Sequence, residues 1–379
     1  MTPIYLDYNA TTPVDPVVRK AMQPFFAGEY GNPSSTHVLG RSSQRAIAFA
    51  RGQVASLVGC AADEIVFTSG GTESSNLAIQ GAVYHAASDR NGHLIISAIE
   101  HPATVEPARW LARQGFQITV VGCDANGVVD PGEIAAAIRP TTKLVSVMHA
   151  NNEVGAIQPI WEISEICRAA NAKLHVDAAQ SLGKIEVDVN RLGVDLLTVA
   201  GHKIYAPKGI GALYVRQGVE LEPVVRGAGH ECGLRPGTEN TPYIVGLGTA
   251  AELAAASLPG ITRQLAAQRD RLELGLRGRI PGLTVNAAST VRLPNTASVN
   301  FPGLIGAELL DAIPELCAST GAACHSGTTK LSATLAAMGV SEEVARGAVR
   351  LSVGRSTTDE EIDTATERLV AVWQMQSQG

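Results

Sequence analysis

Between about residues 60 and 216, short apolar runs alternate with segments of helical periodicity. The runs are Glu64–Thr68, His93–Ser97, Gln117–Val121, Leu144–His149, Lys173–Asp177, Asp195–Val199 and Gly211–Val215. They are near-continuous stretches rich in Val, Ile and Leu rather than alternations of apolar and polar positions. Strands of that kind are buried on both faces, as in a parallel sheet covered by helices. The segments Thr72–His85, Pro102–Gln114, Asp130–Ile138 and Ile160–Asn171 supply the covering helices. The pattern predicts an α/β domain built on a mostly parallel seven-stranded sheet covered by helices.

After about residue 240 the texture changes. Thr249–Leu258 is Ala-rich and helical, and Ile261–Arg279 is charged and amphipathic. Thr284–Asn286 and Ala297–Phe301 read as short strands, and Glu308–Ile313 and Glu360–Gln374 as helices. This predicts a smaller α+β domain. The expected division is 16–250 for the large domain, with 1–15 and 251–379 forming the small one.

Composition narrows the function. The chain has 379 residues, 45% of them hydrophobic, enough for a large core. Thirty basic against 36 acidic residues give a net charge of −6, which argues against a nucleic-acid partner or a polybasic membrane surface. The first residues, MTPIYLDYNATTP, lack the basic-then-apolar pattern of a signal peptide, and no run of about 18 apolar residues predicts a membrane span. The cysteines, Cys60, Cys123, Cys167, Cys232, Cys317 and Cys324, form no CxxC pair, so neither a disulfide framework nor a metal site is expected. A reducing cytoplasm is the expected compartment.

In open α/β sheets, ligands sit beyond the carboxyl ends of the strands. Those ends carry Ser69-Gly70-Gly71-Thr72, Glu100-His101-Pro102, Asn151-Asn152-Glu153, Asp177-Ala178-Ala179-Gln180 and His202-Lys203. Together they describe one pocket rim. Gly70-Gly71-Thr72 precedes a helix, whose N-terminus suits a phosphate, though an ordinary βα turn reads the same way. Lys203 follows an apolar strand. Partial desolvation there would lower its pKa and free the amine for a Schiff base; a snorkelling surface lysine is the alternative. A lysine, an acid such as Asp177 and a phosphate cradle are the set that holds pyridoxal phosphate.

At this point the chain resembles the cysteine desulfurases of the fold-type I, class V pyridoxal-phosphate family, and is similarly close to the selenocysteine lyases. The segments that carry the resemblance include YLDYNATTPVDP, GNPSSTH, FTSGGTESSN, EHPA, NNEVGAIQPI, HVDAAQSLGK, GHKIYAPKGIGALYVR, RPGTEN, GAACHS and RLSVGRSTT, spread over the whole chain. The resemblance implies that Lys203 binds pyridoxal 5'-phosphate covalently and later shuttles the Cα proton. Asp177 would pair with the pyridine nitrogen, Gln180 with the phenolic oxygen, and His101 would stack on the ring and assist proton transfer. Gly71, Thr72 and His202 would hold the phosphate, joined by Thr238 from a second subunit, which implies a homodimer. Arg350 would clamp the substrate carboxylate, with Asn32 nearby, and Asn152 would orient cofactor or substrate.

Cys324 falls on the family's persulfide position, in the Gly-, Ser- and Thr-rich run TGAACHSGTTK. Cys60 and Cys167 read as packing residues; Cys123, Cys232 and Cys317 stay unassigned. The implied substrate is L-cysteine, and the implied partner is a sulfur-acceptor protein such as an iron–sulfur scaffold. In one respect the chain departs from many desulfurases: Ala200 stands where they carry a Ser two residues before the His-Lys pair. That departure, with RPGTENTP and Cys324-His325-Ser326, leans toward the lyases, for which L-selenocysteine is the substrate.

Overall fold

The computed structural model describes residues 3–87, 91–320 and 332–377. Its strands are β1 (Ile4–Tyr5), β2 (Ile65–Thr68), β3 (His93–Ser97), β4 (Gln117–Val121), β5 (Thr142–Ser146), β6 (Lys173–Asp177), β7 (Leu196–Ala200), β8 (Gly211–Val215), β9 (Thr284–Val285), β10 (Thr296–Asn300), β11 (Leu316–Cys317) and β12 (Ala348–Ser352). The central sheet has the order β2-β8-β7-β6-β5-β3-β4. Only β8 runs against its neighbours; the other pairs are parallel. The mostly parallel seven-stranded sheet predicted from the apolar runs is therefore present. The run expected at Leu144–His149 is strand only as far as Ser146, after which the chain leaves the sheet toward the pocket.

The two edges of the sheet are finished differently. β4 was expected to be buried, but as an edge strand it is largely half-exposed to exposed, with Val120 58% accessible. β2, the other edge, is buried throughout. Its outward backbone groups are occupied by an ion pair: Phe67 N donates to Glu231 Oε2 at 2.7 Å, and Arg51 Nη1 donates to Ile65 O at 2.5 Å. Arg51 and Glu231 meet through two further bonds of 2.6 and 2.7 Å. An unpaired edge invites pairing with another chain, and this pair closes it.

Two helices depart from the sequence expectation. Val38–Val58 was not assigned, although Ile47, Ala50, Val54 and Val58 are spaced to face one core. The segments expected on either side of Pro259-Gly260 are one helix, Thr241–Arg277. Pro259 leaves the Ala255 carbonyl without a helical donor, but both residues are exposed, so water can serve. By length and composition this helix could cross a membrane. Much of its apolar surface is instead core. Ile244, Leu247, Ala250 and Ala251 pack with the central sheet, and Ile261, Leu265, Leu272 and Leu276 pack in a second cluster with β10 and β12.

That second cluster backs an antiparallel sheet, β12-β10-β9. The N-terminal segment runs along it: Ser352 N donates to Leu6 O, and Asn9 N donates to Ser352 Oγ. Residues 7–11 thereby lie between the small sheet and the loop carrying Lys203.

Candidate active site

The carboxyl ends of β3, β5, β6 and β7 and the turn after β2 open into one cavity of about 260 Å³. Gly71, Thr72, His101, Asn152, Asp177, Gln180, His202 and Lys203 line it, with Ala10, Met148, Ala179 and Ala200 among the other walls. A larger concavity of about 530 Å³ lies beside Arg51 and Glu231, but it contains no lysine and no carboxyl end of the parallel strands. The strand-end chemistry belongs to the smaller cavity.

The turn after β2 needs its first glycine. Gly70 has φ 151° and ψ −179°, a region essentially closed to other residues. It lets the chain turn into the helix Gly71–Ala86, whose first N–H groups face the cavity end. A Cβ at Gly71 would come within 3.2 Å of the Ala200 methyl, so the cradle is tight.

Lys203 Nζ donates to the carbonyls of Asn9 and Ala10, the latter at 2.8 Å. Burial and then Arg350, against the opposing pull of Asp177 and Asp7, lower its pKa to about 8. Tyr205, two residues on, has φ 68°, costly for an aromatic side chain. It is held by a bond from its N–H to Thr12 Oγ1, by Asp15 N donating to its carbonyl, and by Arg355 N donating to its hydroxyl.

Asp177 ends β6. Its carboxylate accepts from Ala179 N at 2.9 Å. Burial raises its pKa, while that N–H, His101 and Lys203 pull it down. A cation placed against this carboxylate would complete it. His101 caps the helix Pro102–Arg113: its Nδ1 accepts from Ala103 N at 3.1 Å, so the ring proton sits on Nε2. The ring is accessible through the cavity yet surrounded by protein, and burial lowers its pKa. His202, bonded at Nδ1 to Thr11 Oγ1, is lowered to about 4, chiefly by burial and then by Lys203.

Arg350 is not at a strand end. It lies in the middle of β12, where Nη2 donates to Asp7 Oδ1 at 2.7 Å and Nη1 to Asn152 O at 3.0 Å. Its Nε is buried without a partner among the described residues. A buried guanidinium with a donor to spare suits an anionic group. Asn32 and Thr238 are exposed and do not line the cavity. Cys324 lies outside the described residues. Cys167 is buried and Cys60 packs against the same core; burial pushes both thiols up to about 12.

Sequence reasoning gave no role to several contributors, although it placed Glu100 on the rim. Asn9 joins the parts: its carbonyl receives Lys203 and Gln180, and its amide bonds Asn152 O, Thr296 and Asn295. Asp7 is the partner of Arg350. Glu100, fully buried and raised to about 8 by burial, accepts from Ser97 Oγ and Met148 N and so ties β3 to the pocket wall. All three fall inside motifs read for other residues, and no periodicity marks them.

Residues 4–364 match the family model described as aminotransferase class-V, and the chain belongs to that family. Its relatives point to one branch. Cysteine desulfurase IscS of Anaeromyxobacter dehalogenans (strain 2CP-C) is 46% identical over 366 residues, covering 96% of this chain and 90% of that protein. Cysteine desulfurase IscS of Methanosarcina thermophila is 44% identical over 366 residues with the same coverage. The solved structure of a NifS-like protein matches with TM-score 0.92 at 35% identity, covering 99% of this chain and 100% of that one. A second, described as SspA in complex with cysteine, matches with TM-score 0.83 at 37% identity, covering 92% and 98%.

The family works with pyridoxal phosphate, and the residues present fit that group. A lysine amine of depressed pKa, a buried carboxylate lacking a cation and a helix N-terminus opened by Gly70 are complementary to an aldehyde, a protonated ring nitrogen and a phosphate.

Proposed function

We propose that this chain is a cysteine desulfurase that uses pyridoxal 5'-phosphate to take sulfur from L-cysteine, releasing L-alanine and leaving a persulfide on Cys324. The observation that carries the reading is the meeting of Lys203 and Asp177 in one cavity beside the Gly70-Gly71 turn. When bound, pyridoxal phosphate supplies a sink for the negative charge that develops at the substrate Cα.

The protein's own residues do the rest. Lys203 Nζ would hold the cofactor and, as a free amine, would take the Cα proton. Asp177 keeps the ring nitrogen protonated. His101 stacks on the ring and passes protons through Nε2. The Gly71 N–H, Thr72 and His202 hold the phosphate, and Gln180 meets the phenolic oxygen. Burial and the neighbouring lysines favour the neutral form of His202, which can still donate one hydrogen bond. Arg350 clamps the substrate carboxylate, with Asn152 and Asn32 beside it. Cys324 attacks the substrate sulfur as thiolate. The S–Cβ bond breaks with its electron pair left on the carbon side, the sulfur joins Cys324 as the outer atom of the persulfide, and the carbon skeleton takes up a proton at Cβ and leaves as alanine.

Thr238 is the contribution of a second copy, so the working form is a homodimer. In this reading residues 16–250 bind the cofactor, while 1–15 and 251–379 form the small domain that carries Cys324. The enzyme is cytoplasmic and hands its sulfur to an acceptor protein such as an iron–sulfur scaffold. Ala200, which removes a hydroxyl from the phosphate end, supports L-selenocysteine as the rival substrate.

Alanine release from both amino acids, with persulfide detection on Cys324, tests the reading. Wild type is expected to turn over cysteine, and Cys324→Ala to bind cofactor but form no persulfide. Rapid turnover of selenocysteine alone would make the lyase the better description. Unchanged desulfuration in Cys324→Ala would move the sulfur carrier to another thiol.

A further inference from the structure

Lys184 has no part in the site as described, yet it is one of the most deeply buried charged groups, at 6% exposure. It stands four residues beyond Gln180, in the turns that follow β6. Its Nζ donates to the Gln180 carbonyl at 2.8 Å and to Gln180 Oε1 at 3.2 Å. No ion pair with a carboxylate holds it among the described residues. A buried amine with no carboxylate partner among the described residues needs a reason, since burial first, and then Lys203 and Arg350, penalise its charge and bring its pKa to about 7.

We infer that Lys184 is a positioning residue that locks the Gln180 amide, so that Gln180 offers the cavity only a hydrogen-bond donor. Gln180 Oε1 is taken by Lys184, and Nε2 gives one hydrogen to Asn9 O at 3.0 Å. Asn9 O is the carbonyl that also receives Lys203 Nζ. A flipped amide would set its NH2 against Nζ and its carbonyl against Asn9 O, replacing two bonds with two repulsive contacts. The contact survives titration, because the amine donates whether charged or neutral; once it is neutral, Asn9 O is the contact that opposes the flip. With Oε1 committed, what remains for the cavity is the second hydrogen on Nε2. That hydrogen selects an acceptor, such as an anionic ring oxygen.

The inference rests on the proposed cofactor, and the experiment separates the two. Protein loaded with pyridoxal phosphate is titrated with acid and base in the absence of substrate, following the visible absorbance. Losing a donor to an anionic oxygen raises the pH at which that oxygen ionises. Lys184→Met is expected to raise the spectral midpoint by about one pH unit, and Lys184→Arg, which keeps the donors, to restore it. In a Gln180→Ala background, Lys184→Met should add nothing. An unmoved midpoint in Lys184→Met, or an equal shift with Gln180 absent, overturns the inference. Should Lys184→Met not fold, Lys184→Gln is judged by the same two outcomes, because its amide ends one bond short of Nζ. Wild type that shows no visible band after loading would sink the cofactor reading itself, a different result from either outcome at Lys184.

Discussion

The central sheet puts polar groups on the cavity wall and the small sheet, which does not line the cavity, bonds Asp7, Asn9 and Asn152 beside it, and the two do so by opposite geometries. In the central sheet the strands are mostly apolar along their length, and the chemistry begins where they stop, at Asp177, at His202-Lys203 and at His101. In the small sheet the chemistry is inside the strands. All five residues of β10 and of β12 are buried, yet both strands alternate. Ala297 faces Leu351 and Val299 faces Val349 on the side that packs the second core. Thr296 faces Ser352 and Ser298 faces Arg350 on the other side, where Thr296 and Ser352 bond Asn9 and Arg350 bonds Asp7. A sheet covered by helices on both faces can present polar groups to a cavity only at its ends. A sheet with one face turned to a site can use that whole face.

The largest expected effect is at a strand end. Lys203→Ala should lower alanine release by about ten thousand-fold or more and abolish covalent cofactor binding, since it removes both the attachment and the base. Residual activity within about tenfold of wild type would show that another group does this work. The wild-type amine gives a sharper test. Only the unprotonated form captures an aldehyde, so capture by the cofactor-free protein should rise about tenfold per pH unit below about 8 and level off above it. An ordinary lysine would keep climbing toward 10.5. Stopped-flow absorbance between pH 6 and 10 distinguishes them.

Next is the central sheet's edge. Glu231→Ala leaves Arg51 partly buried without its partner and Phe67 N–H without an acceptor, and should cost about 3 kcal/mol in urea denaturation. Arg271→Ala breaks the exposed pair with Asp363 and should leave stability nearly unchanged. Equal losses would mean that the Arg51–Glu231 pair does not close the edge as described.

Arg350→Lys tests the small sheet's polar face. The substitution keeps the charge and loses the fork, so kcat/KM for cysteine should fall by about 10- to 100-fold, mainly through KM, the loss of roughly one charged hydrogen bond. Folding stability should change much less. An unaltered KM would detach this face from substrate binding.

The same contrast explains what the chain made legible. An apolar run that stops at Asp177 or before His202-Lys203 announces a strand end, so most of the cavity wall followed from runs and their boundaries. Arg350 could not be found that way, because an alternating strand looks half-exposed whether its polar face meets water or a site. It entered through the RLSVGRSTT motif alone. Asn9 and Asp7 were illegible for a related reason: they act through a backbone carbonyl and a buried ion pair across more than 140 residues of sequence. The break expected at Pro259-Gly260 failed because a proline on an exposed helix face leaves only a carbonyl that water can satisfy.

One group crosses the boundary of the comparison and gives the smallest prediction. His175 sits inside β6, with Nδ1 bonded to Ser146 Oγ at 2.8 Å on β5 and Nε2 to Thr198 Oγ1 at 3.0 Å on β7. It is a polar residue in mid-strand, but it faces neighbours within the sheet rather than a cavity. Burial holds its pKa near 3, against an ordinary 6.5. The native state therefore keeps it neutral where the unfolded chain takes up a proton. Its contribution to stability is complete above about pH 6.5 and is lost as pH falls toward 3. Glu100 acts in the opposite sense between about 4.5 and 8, but it is common to wild type and variant and cancels in their difference. His175→Asn should therefore lose stability less steeply on acidification from pH 6 to 4.5, by about 1.4 kcal/mol per pH unit, the linkage of one proton. Denaturation series at four pH values measure it. Parallel slopes would mean that His175 is charged in the folded sheet, and that mid-strand polar residues there are not the purely structural counterpart of Arg350.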